Sequence, residues 1–313
     1  MSLLSPREVL KQVADALPAD CRGSIIIIGS LAAGYQYFQD DPEALVQTKD
    51  VDCMLSPHIE VVPAGKIVAQ SLFGANWQMR KDENFGEPGT ADTPIEELPL
   101  VRLHPPGGDD WFIELMMSPP GAAQSATEVR DDPQNPGKQF VRLEIEQGHF
   151  GLCSFGYLSL VEEQPIATEF GIAIARPEMM ALANLLHHPK IGDGTMSGLI
   201  EGRRIKRSNK DLGRVIALAW LANRKEEDAV LAWPEAWAFA LQKRFPGEWK
   251  ALAARAGNGL REMLASLADQ EQAAHSCTSG LLARHRLSAE QLAIEGQRLM
   301  QDAIEPLESI ARK

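Results

Sequence analysis

The sequence predicts an α+β protein: a small mixed β-sheet with flanking helices over residues 1–175, then an all-helical C-terminal domain over residues 176–313. Three observations predict it. Short β-branched and aromatic runs, such as Ile25-Ile26-Ile27-Ile28 and Trp111-Phe112-Ile113, alternate with Gly/Pro-rich connections through the first half. After Arg176-Pro177-Glu178 the apolar spacing changes to the helical three and four. At 313 residues the chain exceeds one typical domain, and two units of that size can each bury a core.

Taken in order, Ser5-Pro6-Arg7-Glu8 is a capping box with proline at the first helical position, and Val9, Leu10, Val13 and Leu17 follow at helical spacing. Ser24 to Ile28 reads as a strand, Gly29-Ser30 as a tight turn and Leu31 to Phe38 as a short helix. Val51 to Leu55 is the second strand. Gly74 to Glu97 lacks periodicity and reads mostly as loop. Leu100 to His104 and Trp111 to Met117 flank Pro105-Pro106-Gly107-Gly108, a hairpin signal, and Ser118 to Lys138 is a further Pro/Gly-rich connection. Val141, Leu143 and Ile145 alternate with charged residues, and strand character continues to Ile174. Helices are expected over Met179 to Leu186, Asp211 to Leu221, Pro234 to Phe245, Leu260 to Leu267 and Ser288 to Ile310. Trp220, Trp233, Trp237 and Trp249 fall among helical apolar residues, as core positions do.

Hydrophobic residues at 44% and charged residues at 24% are ordinary for a globular chain, and the apolar runs are too short to cross a bilayer. No membrane span is expected. The first residues lack the basic-then-apolar layout of a secretory signal. Cys21, Cys53, Cys153 and Cys277 form no CxxC pair, which suits a reducing compartment, so a cytoplasmic protein is expected. A formal charge of -12 repels polyanions, so a phosphate-bearing ligand must meet a local positive patch or a metal ion.

Ile25 to Ile28 delivers Gly29-Ser30 to a helix start, where free backbone N–H groups and a hydroxyl can face an anion. This is neither a Walker A loop, because Tyr35 stands where its lysine belongs, nor a dinucleotide fingerprint, because Leu31 replaces the middle glycine. In Thr48-Lys49-Asp50-Val51-Asp52-Cys53, strand alternation puts Asp50 and Asp52 on one face about 6.6 Å apart along the backbone, with Val51 and Cys53 toward the core. Such a pair can converge on divalent metal. Glu114 is the single acid in the apolar run Trp111 to Met117. A carboxylate there needs a metal, another cation, or exposure at the sheet end. Asp109 and Asp110 are alternatives to it as a third acid.

Gly-Ser, then D-x-D on the next strand, then a lone acid on a later strand, resembles the nucleotidyltransferase superfamily that includes DNA polymerase beta. The resemblance spans roughly residues 20 to 117. It implies a nucleotidyltransferase-type fold in which Gly29, Ser30 and Lys49 bind nucleotide. Asp50, Asp52 and Glu114 would be both metal ligands and catalytic groups, with Mg2+ or Mn2+ as cofactor. The activity implied is transfer of NMP from a nucleoside triphosphate to an acceptor, with release of pyrophosphate, in the cleft between the domains. Gln39 to Gln47 reads as a surface insertion that lengthens the spacing from Ser30 to Asp50; such loops cost little closure entropy.

Pro177-Glu178-Met179-Met180 and Lys210-Asp211-Leu212-Gly213-Arg214, each heading a helix, look like the abortive-infection toxin branch of the superfamily. Lys210 and Asp211 match that branch. Asn184 stands at the position of its lysine and Arg214 at that of a later aspartate. The acceptor is left open among a tRNA end, a protein hydroxyl and a small antibiotic-like molecule, as is an antitoxin protein as partner. Arg203, Arg204, Lys206, Arg207 and Lys210 form a basic cluster that is either a solvated loop or a clamp for triphosphate or nucleic acid. Two rival readings follow: a catalytically degenerate module that binds nucleotide or a partner protein, and a nucleic-acid-binding protein using the 203–210 cluster.

Overall fold

The computed structural model describes residues 2–39, 41, 45–57, 60–81, 86–108, 110–119, 130–131, 138–191, 194–196, 198–285 and 287–313. The chain divides into two compact units, Met1–Tyr35 with Pro42–Ala175, and Gln36–Asp41 with Arg176–Lys313.

In the first unit, β1 (Ser2–Leu4) leads into α1 (Pro6–Asp15), where Ser5 Oγ accepts from Glu8 N at 3.4 Å and Val9, Leu10 and Val13 are buried. Then come β2 (Ile25–Ile27), α2 (Gly29–Phe38), β3 (Val46–Thr48), β4 (Asp50–Leu55), α3 (Val61–Gly74), β5 (Gln78–Met79), β6 (Arg102–His104) and β7 (Phe112–Met117). The unit closes with β8 (Arg130–Asp131), β9 (Lys138–Ile145), β10 (Gly148–Phe155), β11 (Ile166–Ala167) and β12 (Ala173–Ile174). β1 pairs with β3 in a small antiparallel sheet, so the segment expected as a loop insertion ends in a strand held by the N-terminus. The main sheet runs β11-β12-β2-β4-β7-β10-β9-β8, with β6 beside β7 and β5 beside β6.

Antiparallel β2 and β4 need only a simple return, but β4 and β7 are parallel, which requires a crossover. That crossover contains α3, and β5 and β6 follow it. Sequence periodicity does not announce α3, because Pro63 and Gly65 interrupt a run of valines and alanines that reads equally well as strand or loop. Gly65 has a packing reason: a Cβ there would meet methyls of Leu55, Leu152 and Leu143 at 3.1, 3.2 and 3.3 Å, so its absence seats the helix on the sheet. One face of the sheet is thereby sealed under α3. On that buried side Val51, Cys53, Leu55, Ile113, Leu115 and Leu143 are 0% exposed.

The second unit holds α4 (Pro177–Ile191), α5 (Arg207–Lys225), α6 (Trp233–Arg244), α7 (Trp249–Arg255), α8 (Asn258–Leu264), α9 (Leu267–Thr278), α10 (Ala289–Leu299) and α11 (Glu305–Arg312). Among the described residues its β pairing is confined to two isolated bridges, Thr195 with Lys206 and Ile200 with Arg203. The helix expected to end at Leu267 breaks earlier, because Ser266 Oγ accepts from Asp269 N at 3.3 Å and so starts α9. The single helix expected from Ser288 to Ile310 is interrupted by a π segment, Met300–Ile304, just ahead of Pro306. A proline has no N–H to continue an α ladder, and a wider turn absorbs the gap. Trp237 is fully buried and donates from Nε1 to Glu178 O at 2.8 Å; Trp233 is buried beside it, while Trp220 and Trp249 are half-buried.

Candidate functional site

Beyond β2, Ile28 N donates to Asp52 O at 2.9 Å, after which Gly29 adopts φ +76° and opens α2. Glycine takes that left-handed conformation at little cost. A Cβ on Gly29 would stand 3.0 Å from Asp52 Oδ2, so the turn lies against the Asp52 carboxylate. The positive end of the α2 dipole therefore faces an acid. Ser30, next in the helix, is half-buried.

Asp50 and Asp52 are half-buried while Val51 and Cys53, between and after them, are 0% exposed, as alternation along β4 requires. Thr48, itself buried, donates from Oγ1 to Asp50 Oδ1 at 2.8 Å and sets the orientation of that carboxylate. Lys49 is exposed between them.

In the β4–β7 ladder Asp52 stands opposite Glu114 and Asp50 opposite Phe112. In the β6–β7 ladder Glu114 stands opposite Arg102. The row Asp52, Glu114, Arg102 thus crosses three neighbouring strands in register. Arg102 Nε donates to Glu114 Oε2, and the two side chains are 17% and 12% exposed. Of the three explanations open for an acid in this strand, the structure provides a cation. Arg80 continues the basic side: its N donates to Arg102 O at 2.8 Å, and its guanidinium lies 4.2 Å from the centroid of Phe112, with that of Arg102 at 5.9 Å. His104 Nδ1 lies 2.8 Å from Trp111 O, and its ring meets Phe112 edge-on. Charge along this face passes from two aspartates on β4, through a neutralised glutamate, to two arginines.

Of the alternatives to Glu114, Asp110 is exposed ahead of β7 and Asp109 lies outside the described residues. Among the described residues no group of three His, Cys, Asp or Glu side chains is arranged to hold a metal. Asp50 and Asp52 fit a divalent cation as a pair, sharing a face with neither carboxylate sealed in the core. Glu114 fits one less well, since Oε2 is engaged by Arg102.

Sequence reasoning missed Thr48 and Arg102. Thr48 carries a usable signal, a hydroxyl two positions before an aspartate on a strand. Arg102 carries none, because its partner depends on the register across the loop 105–111, which hydrophobic alternation alone leaves open.

Cys153 stands opposite Met116 on β10, within electrostatic reach of Glu114. Burial pushes its thiol up to about 12, burial likewise lifts Cys277 to about 12, and Cys53 also moves up. In the unfolded chain these thiols ionise near their usual value of 9.0. Stability is therefore full below that value and is lost as pH rises from 9 toward the folded values. Urea midpoints are expected to fall between about pH 8 and pH 11; a constant midpoint across that span would contradict the burial.

In the other unit, Arg203 and Arg204 are exposed beside a tight turn in which Glu201 and Gly202 take φ 45° and 79°. The turn is braced by reciprocal Ile200–Arg203 backbone bonds of 3.0 Å and by His275 Nε2, 2.9 Å from Ile200 O. Lys206 pairs with Asp269 at 3.1 Å, and burial-opposing hydrogen bonds from Asn209 and Lys206 bring that carboxyl below its usual range. Lys210 is half-buried and Asp211 buried in the first turns of α5; Asn184 and Arg214 are half-buried on α4 and α5.

Neither a family model, nor a curated protein, nor a solved structure matches this chain. The protein is mixed α+β, and its sheet gathers Gly29, Asp52, Glu114 and Arg102 into one locus. No helix among the described residues is long and apolar enough to cross a membrane.

Proposed function

We propose that the chain is a metal-dependent nucleotidyltransferase of the DNA polymerase beta type. The observation that carries this reading is the alignment of the Gly29 turn, Asp52 and Glu114 on three adjacent strands, because three motifs far apart in sequence become one charged locus. In this reading the N–H groups at the start of α2 and the Ser30 hydroxyl receive the triphosphate, and Lys49 supplies exposed countercharge. Asp50 and Asp52 would hold Mg2+ or Mn2+, which offsets phosphate charge and makes an acceptor hydroxyl more acidic. The acceptor oxygen attacks the α-phosphorus, the bond to the bridging oxygen breaks, and pyrophosphate leaves with the electron pair while the hydroxyl proton passes to solvent. Glu114, paired with Arg102, fixes charge at the edge of the site.

Arg203, Arg204, Lys210 and Asp211 are assigned to nucleotide or acceptor binding on the motif match and the exposed arginines. The acceptor class comprises tRNA, protein hydroxyls and small molecules, in a cytoplasmic setting, with an antitoxin partner if the toxin branch is the right one. Four labelled triphosphates incubated with the protein, Mg2+ and cell lysate are expected to yield a labelled acceptor with pyrophosphate release. Nucleotide binding by calorimetry without pyrophosphate release across the acceptor panel would overturn transfer. That outcome would establish the second reading, a catalytically degenerate nucleotide- or partner-binding module, which the engagement of Glu114 by Arg102 favours.

A further inference from the structure

Glu114, the acid farthest across the sheet from the Gly29 turn, is engaged by Arg102, and in the nucleotidyltransferase reading, on which this inference rests, the attacking hydroxyl then needs another group to take its proton. We propose that His104 is that group, a catalytic general base whose Nε2 accepts the proton of the acceptor hydroxyl as the oxygen attacks the α-phosphorus.

Strand order fixes the side from which the acceptor enters. The Gly29 turn lies beyond β2, and the sheet runs from there through β4 with Asp52 and β7 with Glu114 to β6. In-line displacement puts the attacking and leaving oxygens on opposite sides of the phosphorus. With pyrophosphate departing toward the Gly29 turn, the hydroxyl arrives from the side of β6, the strand that carries His104.

Register places the ring on the acid face. Arg102 stands opposite Glu114 and Leu103 opposite Ile113, which brings His104 to Phe112, and the two rings meet edge-on with centroids 6.0 Å apart. Phe112 in turn stands opposite Asp50. Ladder partners share a face, so His104, Phe112 and Asp50 form one row beside Arg102, Glu114 and Asp52. The imidazole is half-buried there, one strand beyond the acids.

Its tautomer suits the task. A carbonyl oxygen can only accept, so Nδ1, 2.8 Å from Trp111 O, carries the ring hydrogen and Nε2 of the neutral imidazole carries the lone pair. Trp111 is 8% exposed and directly precedes β7, so the group that sets the tautomer is itself fixed. The neighbours offer no rival base: Gln78, opposite His104 on β5, ends in an amide, Arg102 is a cation bound to Glu114, and Asp50 and Asp52 are committed to the ion in this reading. The proton passes from the hydroxyl to Nε2, the oxygen's electron pair forms the new bond to phosphorus, and pyrophosphate leaves with the pair from the bond to the bridging oxygen. The imidazolium then returns the proton to solvent.

Pyrophosphate release from the four labelled triphosphates, with Mg2+ and cell lysate, tests the assignment. The amide of His104→Asn can still donate to Trp111 O but has no basic lone pair, so turnover is expected to fall about 10²-fold with KM for the triphosphate unchanged. Imidazole added to His104→Gly is expected to raise its rate about tenfold, a response that a packing role would not give. If His104→Asn does not fold, His104→Gln, which keeps an amide and more of the ring's volume, carries the same comparison.

Turnover within about threefold of wild type in the amide variant would overturn the general-base role and leave the nucleotidyltransferase reading standing. A rise in KM with turnover intact, or a loss that imidazole does not restore, would overturn it equally. Absence of transfer by the wild-type protein would remove the proposed function and His104's part in it together.

Discussion

Arg102→Met is expected to lower the free energy of unfolding by roughly 3–5 kcal/mol, whereas Arg102→Met together with Glu114→Met should leave it near or above the wild-type value. The asymmetry follows from desolvation. Taking away the arginine alone leaves a carboxylate at 12% exposure with its main countercharge gone, while taking away both leaves two apolar side chains of similar length in a sheet already rich in them. Urea denaturation of the wild type, each single variant and the double variant completes the cycle, with the coupling read from the four midpoints. If Arg102→Met costs no more than a surface substitution, the pair is open to water and its proposed electrostatic role fails.

Asp52→Ala should reduce magnesium-dependent nucleotidyl transfer by roughly 10³-fold, the scale of several kcal/mol that a bound ion supplies to a phosphoryl transition state. Its effect on folding should be small. Asp52 is half-buried at the N-terminal end of α2, where a favourable dipole contact is worth about 0.3–1 kcal/mol, and that shifts the melting temperature of a unit this size by only a few degrees. Paired measurement of pyrophosphate release and thermal melting separates the two effects. Unimpaired transfer with an intact fold would refute the role of Asp52 in the proposed reaction.

The two sets of expectations differ in how local their physics is. β2, β4, β7 and the β9–β10 hairpin were legible because runs of apolar and β-branched residues mark them, and because in β4 and β9 buried positions alternate with more exposed ones. The shared face of Asp50 and Asp52 was legible for the same reason. α3 was not, since Val61, Ala64, Val68 and Leu72 lie in a segment whose proline and glycine obscure the helical stripe. β1, β3 and β5 are two or three residues long and exist through their partners, which no local pattern encodes. Ser266, as a cap inside a continuous apolar pattern, and Pro306, behind the π segment, act at single positions that periodicity averages away.

At the site, residue types were legible and pairings were not. Glu114 stood out as an acid among apolar neighbours, and the need for a cation followed from its desolvation. Which cation answered that need depended on strand register, and so on a turn rather than on the residues of either strand. Thr48 differs, since its hydroxyl reaches a carboxylate only two positions on, a local pairing that the sequence does signal.

β7 changes neighbours along its far edge. Glu114 and Ile113 are laddered to β6, and Met116 to β10. The guanidinium that balances Glu114 therefore comes from a short ribbon grafted onto the flank of the sheet, while the aspartates belong to its central ladder. Substitutions accumulating in that ribbon could retune the electrostatic field over the acids, or reverse its sign, without shifting the strands that aim them. Selection would have a dial for reactivity that is separate from the mould for shape.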